Sequence, residues 1–282
     1  MNKPWLLIDA SCLAWRSMYS LGDLSYQGVA TGAVYGMFRT VLNLQDLFAT
    51  DRIAWCFDRG HGVRTALFPD YKISRHKHRW EQDEEQQEAR RIMRQQLYRL
   101  RTDYLPRMGF RNVFWQDDYE ADDVIASVCQ DLPAGEEAII ISTDNDLYQL
   151  LSGQVSMWNP ATSKSVTAEW FHREHGIEPW QWWKVKAIAG CPSDEVPGIA
   201  GVGVKKAVQF LRAEMKRGKT MDSIKAGWDV VKRNQLLVRL PFPGTRRFKL
   251  QDDELTEERW KKVMGDLGFR SMRDRPVGVR KS

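Results

Sequence analysis

Short apolar runs alternate with amphipathic stretches along the first half of the chain. Trp5-Leu6-Leu7-Ile8 is an unbroken apolar run, the pattern of a strand buried on both faces, and it stops at Asp9. After Thr31-Gly32 the apolar positions Val34, Met37, Phe38, Val41, Leu44 and Phe48 recur near helical spacing, which predicts a helix. Ile53-Ala54-Trp55-Cys56-Phe57 reads as a second strand ending at Asp58, Val113-Phe114-Trp115 as a third and Ala138-Ile139-Ile140-Ile141 as a fourth. Residues from about Arg79 to Met108 form one or two charged helices with Gly109 as the C-cap. Glu120 to Leu132 and Asn145 to Leu151 read as further helices. Strands and helices in alternation imply the α/β class, with a mostly parallel central sheet flanked by helices. From about Pro179 onward helices dominate, interrupted by Gly198-Ile199-Ala200-Gly201-Val202-Gly203. The expected division is a core over 1–180 and a helical subdomain over 181–282, with a soft boundary near 176–183.

Composition narrows the class. A chain of 282 residues, 43% hydrophobic and 28% charged, suits a soluble globular enzyme with one catalytic body and an appended subdomain. No apolar run approaches the roughly 20 residues that span a bilayer. The first acid, Asp9, comes too early for a signal peptide, so the expected location is cytoplasmic, with no membrane partner. Cys12, Cys56, Cys129 and Cys191 are widely spaced, with no C-x-x-C pair and no clustered His, which argues against both a zinc site and a disulfide framework.

Charge adds more than the net +5 conveys. From Asp117 to Asp146 there are ten acids and no Lys or Arg, whereas from Lys205 to Lys249 there are thirteen basic residues and three acids. An acidic block beside a basic block points to bound cations in one place and a polyanion in the other.

The acids fall where chemistry is expected. Asp9, Asp58 and, after Ser142-Thr143, Asp144 each follow a strand, and ligand sites in open parallel sheets lie beyond the carboxyl ends of the strands. Glu120, Asp122 and Asp123 open a helix, and Asp146 follows Asp144. Two carboxylates about 4 Å apart repel by roughly 4 kcal/mol at an effective dielectric near 20. A gathering of these acids therefore needs protons or divalent cations, and an all-oxygen donor set points to Mg²⁺ or Mn²⁺. Helix capping is the competing explanation for Glu120, Asp122 and Asp123. Arg64, Lys72 and Arg75 lie near Asp58 in sequence; they either pair with the acids or serve a phosphodiester. Gly198 to Gly203, followed by Lys205 and Lys206, offers backbone amides and charge to phosphates, or else a tight helix connection. His172 and His175 read as surface residues, Trp180, Trp182 and Trp183 as packing at the subdomain junction, and His76 and His78 as phosphate neighbours.

The order Asp9, Phe57-Asp58, Tyr71-Lys72-x-x-Arg75, Glu120-Ala121-Asp122-Asp123, Ser142-Thr143-Asp144-Asn145-Asp146, then Ser193-Asp194-x-Val196-Pro197-Gly198-x-x-Gly201-x-Gly203-x-Lys205 resembles the flap endonuclease/5′-3′ exonuclease family over nearly all of residues 5–212. That resemblance implies a PIN-like 5′-nuclease core, a helical arch at about 72–100 and a helix–two-turn–helix at about 184–212. Asp9, Asp58, Glu120 and Asp122 would form one metal site; Asp123, Asp144, Asp146 and Asp194 would build or border a second. Lys72, Arg75 and Arg16 match phosphate-contacting residues, and Tyr71 matches an aromatic on which a base stacks. Arg64, Gly201, Gly203, Lys205 and Lys206 complete the expected DNA-binding set, with a potassium ion at the helix–two-turn–helix. The implied substrate is DNA with a 5′ end, flap or junction, including RNA primers, handled by a monomer with a replication polymerase as partner. One departure stands out: Cys191 replaces an expected second-site aspartate, and Glu195 an expected Asn. A thiol is a poor Mg²⁺ ligand, so either the second site is weak or Glu195 substitutes. A branched-DNA-binding relative that no longer cuts, and a PIN-type ribonuclease, are the rival readings.

Overall fold

The computed structural model describes residues 3–74 and 84–275. Its centre is a six-stranded sheet in the order β5-β4-β1-β6-β7-β8. The strands are β1 (Trp5–Asp9), β4 (Ile53–Cys56), β5 (Val113–Phe114), β6 (Ala138–Ile141), β7 (Val155–Asn159) and β8 (Lys164–Val166). A two-residue hairpin of β2 (Ser25–Tyr26) and β3 (Val29–Ala30) stands apart. All pairings in the large sheet are parallel except β7 with β8. The four expected strands are all present. The edge pair β7 and β8 was not foreseen, although Val155 and Met157 point inward with the alternation of a half-buried strand.

Alternation across the sheet builds two cores. Leu6, Ile8, Ile53 and Trp55 face helices α1 (Ala10–Leu21) and α2 (Gly32–Phe48). Leu7, Ala54, Cys56 and Ile140 face α5 (Ala121–Gln130). Between them in sequence lie α3 (Gly62–Leu67) and α4 (Glu84–Arg99), a π-helical turn at Leu100–Tyr104 and a final helical turn at Leu105–Met108. Gly109, left-handed at φ 100°, ends that run as expected. The part of the expected arch at 75–83, with Arg75, His76 and His78, lies outside the described residues.

Beyond α6 (Ala168–His175), helices α7 (Trp182–Ala189), α8 (Val204–Leu211), α9 (Lys219–Ala226) and α10 (Trp228–Val238) form the helical region; α7 and α8 flank the small pair β9 (Gly190–Cys191) and β10 (Val196–Pro197). After α10 the chain runs back to the large sheet. Asn112 and the backbone of Gln251 exchange hydrogen bonds of 2.7 and 2.9 Å, laying this return segment beside β5. Then α11 (Glu257–Asp266) inserts Trp260 against Phe38 on the α1/α2 side of the sheet, ring centres 5.6 Å apart. Trp260, Val263, Met264, Leu267, Phe269 and Met272 are all buried there, so hydrophobic burial draws the chain back onto the sheet. Among the described residues no helix is long and apolar enough to cross a membrane.

Candidate active site

Strand β1 is the switch point of the sheet, with β4 on one side and β6 on the other. Crevices form at such a point beyond the carboxyl ends of the strands. The acids at the ends of these three neighbours meet there: Asp9, Asp58 and Asp144 line one cavity of about 890 Å³ with Glu120, Asp122 and Lys72. The same cavity is lined by Arg59, Arg90, Arg94, Tyr98 and Arg101.

Local hydrogen bonds aim each acid. Asp9 caps α1 by accepting from the Cys12 N–H at 3.0 Å, and its other oxygen accepts from the Ser142 hydroxyl at 2.7 Å. Asp58 accepts from the Ala121 N–H at 2.8 Å, tying the end of β4 to the start of α5. Asp144 accepts from the Asp146 N–H at 2.8 Å and caps the 3-10 turn Asn145–Leu150. Glu120 accepts from the Tyr71 hydroxyl at 2.8 Å and pairs with the Lys72 ammonium.

Crowding shows in the titration of the group. Burial, with Asp58 and Asp144 nearby, raises the Asp9 carboxyl to about 7. Loss of water on the cavity side and the Asp146 charge lift Asp144 to about 6. Burial together with Asp144, Asp9, Glu120 and Asp58 pushes Asp122 well above the usual carboxylate range. Glu120 goes the other way: burial opposes its charge, but Lys72 and Arg64 outweigh that and hold it low. Three neighbouring acids, Asp9, Asp122 and Asp144, are thus held towards their protonated forms, while Glu120 has compensating charge. An all-oxygen set short of positive charge fits a hard divalent cation.

The second group is built differently. Asp146, Cys191 and Asp194 bring their ligand atoms within 4.8 Å of one another. The Cys191 thiol lies 3.4 Å from an Asp146 oxygen and 3.7 Å from an Asp194 oxygen, and burial and the Asp146 charge hold its proton on, up to about 12. Lys186, which the sequence did not single out, pairs with Asp146 from α7. A protonated sulfur and a resident ammonium fit a second Mg²⁺ poorly. Glu195 does not make up the difference: its carboxylate accepts from the Ser74 N–H at 2.6 Å.

Several expected roles change. Asp123 is fully buried, its two oxygens held by Arg64 at 2.6 and 2.8 Å, and it closes a capping box with Glu120. The capping explanation therefore holds for Asp123, which is not a ligand group of the cavity. Arg64, buried in the same pair, reaches the Leu237 carbonyl at 2.9 Å rather than solvent. Tyr71 is 3% exposed, with Arg64 and Lys72 over its ring. Arg16 is exposed on α1 and is not among the residues lining the cavity. Lys72 lines the cavity, bridging Glu120 and, at 3.3 Å, Asp194.

The glycine turn has two parts. Gly190 and Gly198 pack backbone to backbone: a Cβ on Gly198 would stand 2.1 Å from the Ala189 carbonyl carbon, so that pair serves the helix connection. Gly201, left-handed at φ 73°, and Gly203 face open space, with nothing within 4 Å of an added Cβ. Lys205 and Lys206 are exposed beside them, and the Lys206 ammonium also donates to the Gly201 carbonyl at 2.7 Å.

Comparison with known proteins agrees with this geometry. The family model described as 5′-3′ exonuclease, N-terminal resolvase-like domain, matches residues 4–176. DNA polymerase I of Mycobacterium bovis is 30% identical over 301 aligned residues, covering 97% of this chain; the chain spans only 31% of that polymerase. A 5′-3′ exonuclease of Buchnera aphidicola is 27% identical over 75% of this chain and 70% of its own. In fold, the chain matches the bacteriophage T5 flap endonuclease solved as a pseudo-enzyme-product complex with DNA and metal ions. The TM-score is 0.72 and the identity 20%, over 84% of this chain and 89% of the other.

Proposed function

This chain belongs to the 5′-3′ exonuclease family, and we propose that it is a divalent-metal-dependent, structure-specific 5′-nuclease. It hydrolyses phosphodiesters in DNA near 5′ ends, flaps or single-strand/duplex junctions. The observation that carries this reading is the convergence of Asp9, Asp58 and Asp144 from three adjacent strands with Glu120 and Asp122 in one cavity. Asp9, Asp58, Asp122 and Asp144, with Glu120 behind them, would hold Mg²⁺ or Mn²⁺. Such a cation supplies positive charge to phosphate oxygens and raises the acidity of water. Lys72, already at the cavity wall, offers its ammonium to an oxygen of the bond to be cut. The thiol of Cys191 leaves a second ion weakly held.

Duplex DNA is gripped at Gly201–Lys206, where open glycines let backbone amides approach phosphate and two exposed lysines add charge. A potassium ion at that turn, a monomeric state and a replication polymerase as partner complete the proposal. The task is removal of primers, flaps or 5′ ends. The test is incubation with a 5′-labelled flap duplex, with and without Mg²⁺ or Mn²⁺. Metal-dependent release of the labelled strand is expected. Tight binding with no cutting in either metal would mean a branched-DNA-binding relative instead.

A further inference from the structure

The lining of the acid cavity includes a group that the nuclease reading has not used. Where α4 passes towards Leu105, the helix widens into the π-turn Leu100–Tyr104. Single π-turns recur at functional sites because the extra residue re-aims a side chain. Here the turn carries Arg101, 6% exposed and lining the same cavity as Asp9, Asp58 and Asp122.

A buried arginine normally has a counter-charge. Arg64 shows the usual arrangement, with Asp123 and a backbone carbonyl around its guanidinium. Arg101 has neither: among the described residues it makes no hydrogen bond or ion pair, and its Nε is buried without a partner. Its guanidinium carbon lies 5.0 Å from the ring centre of Trp115 and 5.9 Å from those of Phe57 and Tyr98. Arg59 repels it, and the acid that attracts it, Asp117, is already hydrogen-bonded to Arg59 at 2.8 Å. Ring faces offset part of a guanidinium's lost hydration, but a buried cation left with rings alone is short of one anion.

Position says which anion. Phe57 and Trp115 follow β4 and β5, so Arg101 stands over one half of the sheet. Asp146, which follows β6, pairs with Lys186 of α7, the helix that precedes the glycine turn, so these two stand on the β6 side. A strand held as duplex on the β6 side and crossing the acids at the switch point leaves towards Arg101. There it meets aromatic surface, including Tyr98 at 59% exposure, suited to unpaired bases.

We propose that Arg101 is a phosphate-binding residue that holds one backbone phosphate of the unpaired strand on the 5′ side of the bond to be cut. The proposal rests on the nuclease reading and adds the residue that receives the departing strand. A guanidinium stacked on rings with its edge free is matched to a phosphate's paired oxygens.

The test pairs a side-chain change with a backbone change. Arg101→Met keeps the apolar stem and removes the charge, and a methylphosphonate at each of the first three linkages 5′ of the cut removes one phosphate charge at a time. In single turnover, wild type should lose roughly ten- to a hundredfold in rate at one of these linkages, the size of a charge-assisted contact. Arg101→Met should be about equally slow on the all-phosphate flap and indifferent to that same methylphosphonate. Arg101→Lys should recover part of the rate and of the sensitivity, and it serves in place of Arg101→Met if that variant does not fold. Independent, multiplying losses for side chain and linkage would overturn the proposal and leave Arg101 a packing residue. Affinity for a 5′-phosphorylated five-nucleotide single strand in Ca²⁺ separates the two readings. If wild type cuts nothing yet loses this affinity on Arg101→Met, the nuclease reading fails and the anion site stands. If the affinity is unchanged, the anion site fails.

Discussion

Arg64 and Asp123 form a buried, two-pronged ion pair, with bonds of 2.6 and 2.8 Å, directly beneath the acid cavity. Asp123 also accepts from the Phe242 N–H at 2.8 Å, so the pair joins the start of α5 to the segment after α10. Removing one member of a buried pair strands the other charge, which costs about 3–5 kcal/mol. Arg64→Ala should therefore lower unfolding stability by about that amount in urea melts. DNA affinity per folded molecule should be unchanged. A variant of normal stability with weakened DNA binding would return Arg64 to the DNA surface.

The return of the chain to the core is tested at Trp260, which is fully buried and donates to the Met272 carbonyl at 2.9 Å. Trp260→Ala should destabilise the nuclease core by about 3–5 kcal/mol, the usual range for a buried large aromatic. A change well under 1 kcal/mol would mean that α11 packs loosely and folds separately.

The strand-end acids were legible because a parallel sheet puts the ends of β4, β1 and β6 on one edge, whatever the loops do. Asp9, Asp58 and Asp144 need only that geometry. Arg64 and Asp123 were not legible, because a cation and an acid far apart in sequence look the same whether they face water or each other. The surroundings of Tyr71 were hidden for the same reason: Glu120, Arg64 and Lys72 pack around it, which spacing does not encode. Lys186 and Arg101 were not singled out, the first reaching the site from the start of the expected helix–two-turn–helix, the second aimed by a π-turn. Cys191 was the opposite case, since one residue type at a motif position foretold a sulfur among carboxylates.

Proton linkage follows from the raised acids. Asp9 moves from 3.8 to about 7 and Asp144 from 3.8 to about 6, so the folded chain holds more protons than the unfolded one between about pH 4 and 7. Stability contributed by these groups is therefore greatest at low pH and falls as pH rises through that window. In chelator, the melting temperature of Asp9→Asn should fall less from pH 5 to 7.5 than that of wild type. Mg²⁺ affinity should rise from pH 6 to 8, since ligands must release protons to bind it. A pH-independent Mg²⁺ affinity would contradict the raised values.

At the second group, Cys191→Asp adds a hard oxygen and a negative charge beside Asp146 and Asp194. The Mg²⁺ concentration for half-maximal cleavage should fall. An unchanged or higher requirement would show that the sulfur costs the site nothing.

In the proposed function the convergent acids hold the cation that cutting requires, while DNA is gripped elsewhere. The most direct test is single-turnover cleavage of a 5′-flap duplex by Asp122→Asn and by Asp144→Asn, with binding to the same duplex measured in parallel. Cleavage in Mg²⁺ should be abolished in both, with affinity equal to wild type or tighter, because a negative charge facing phosphate has been removed. Undiminished cleavage by either variant, after chelation and restoration of Mg²⁺, would contradict the account.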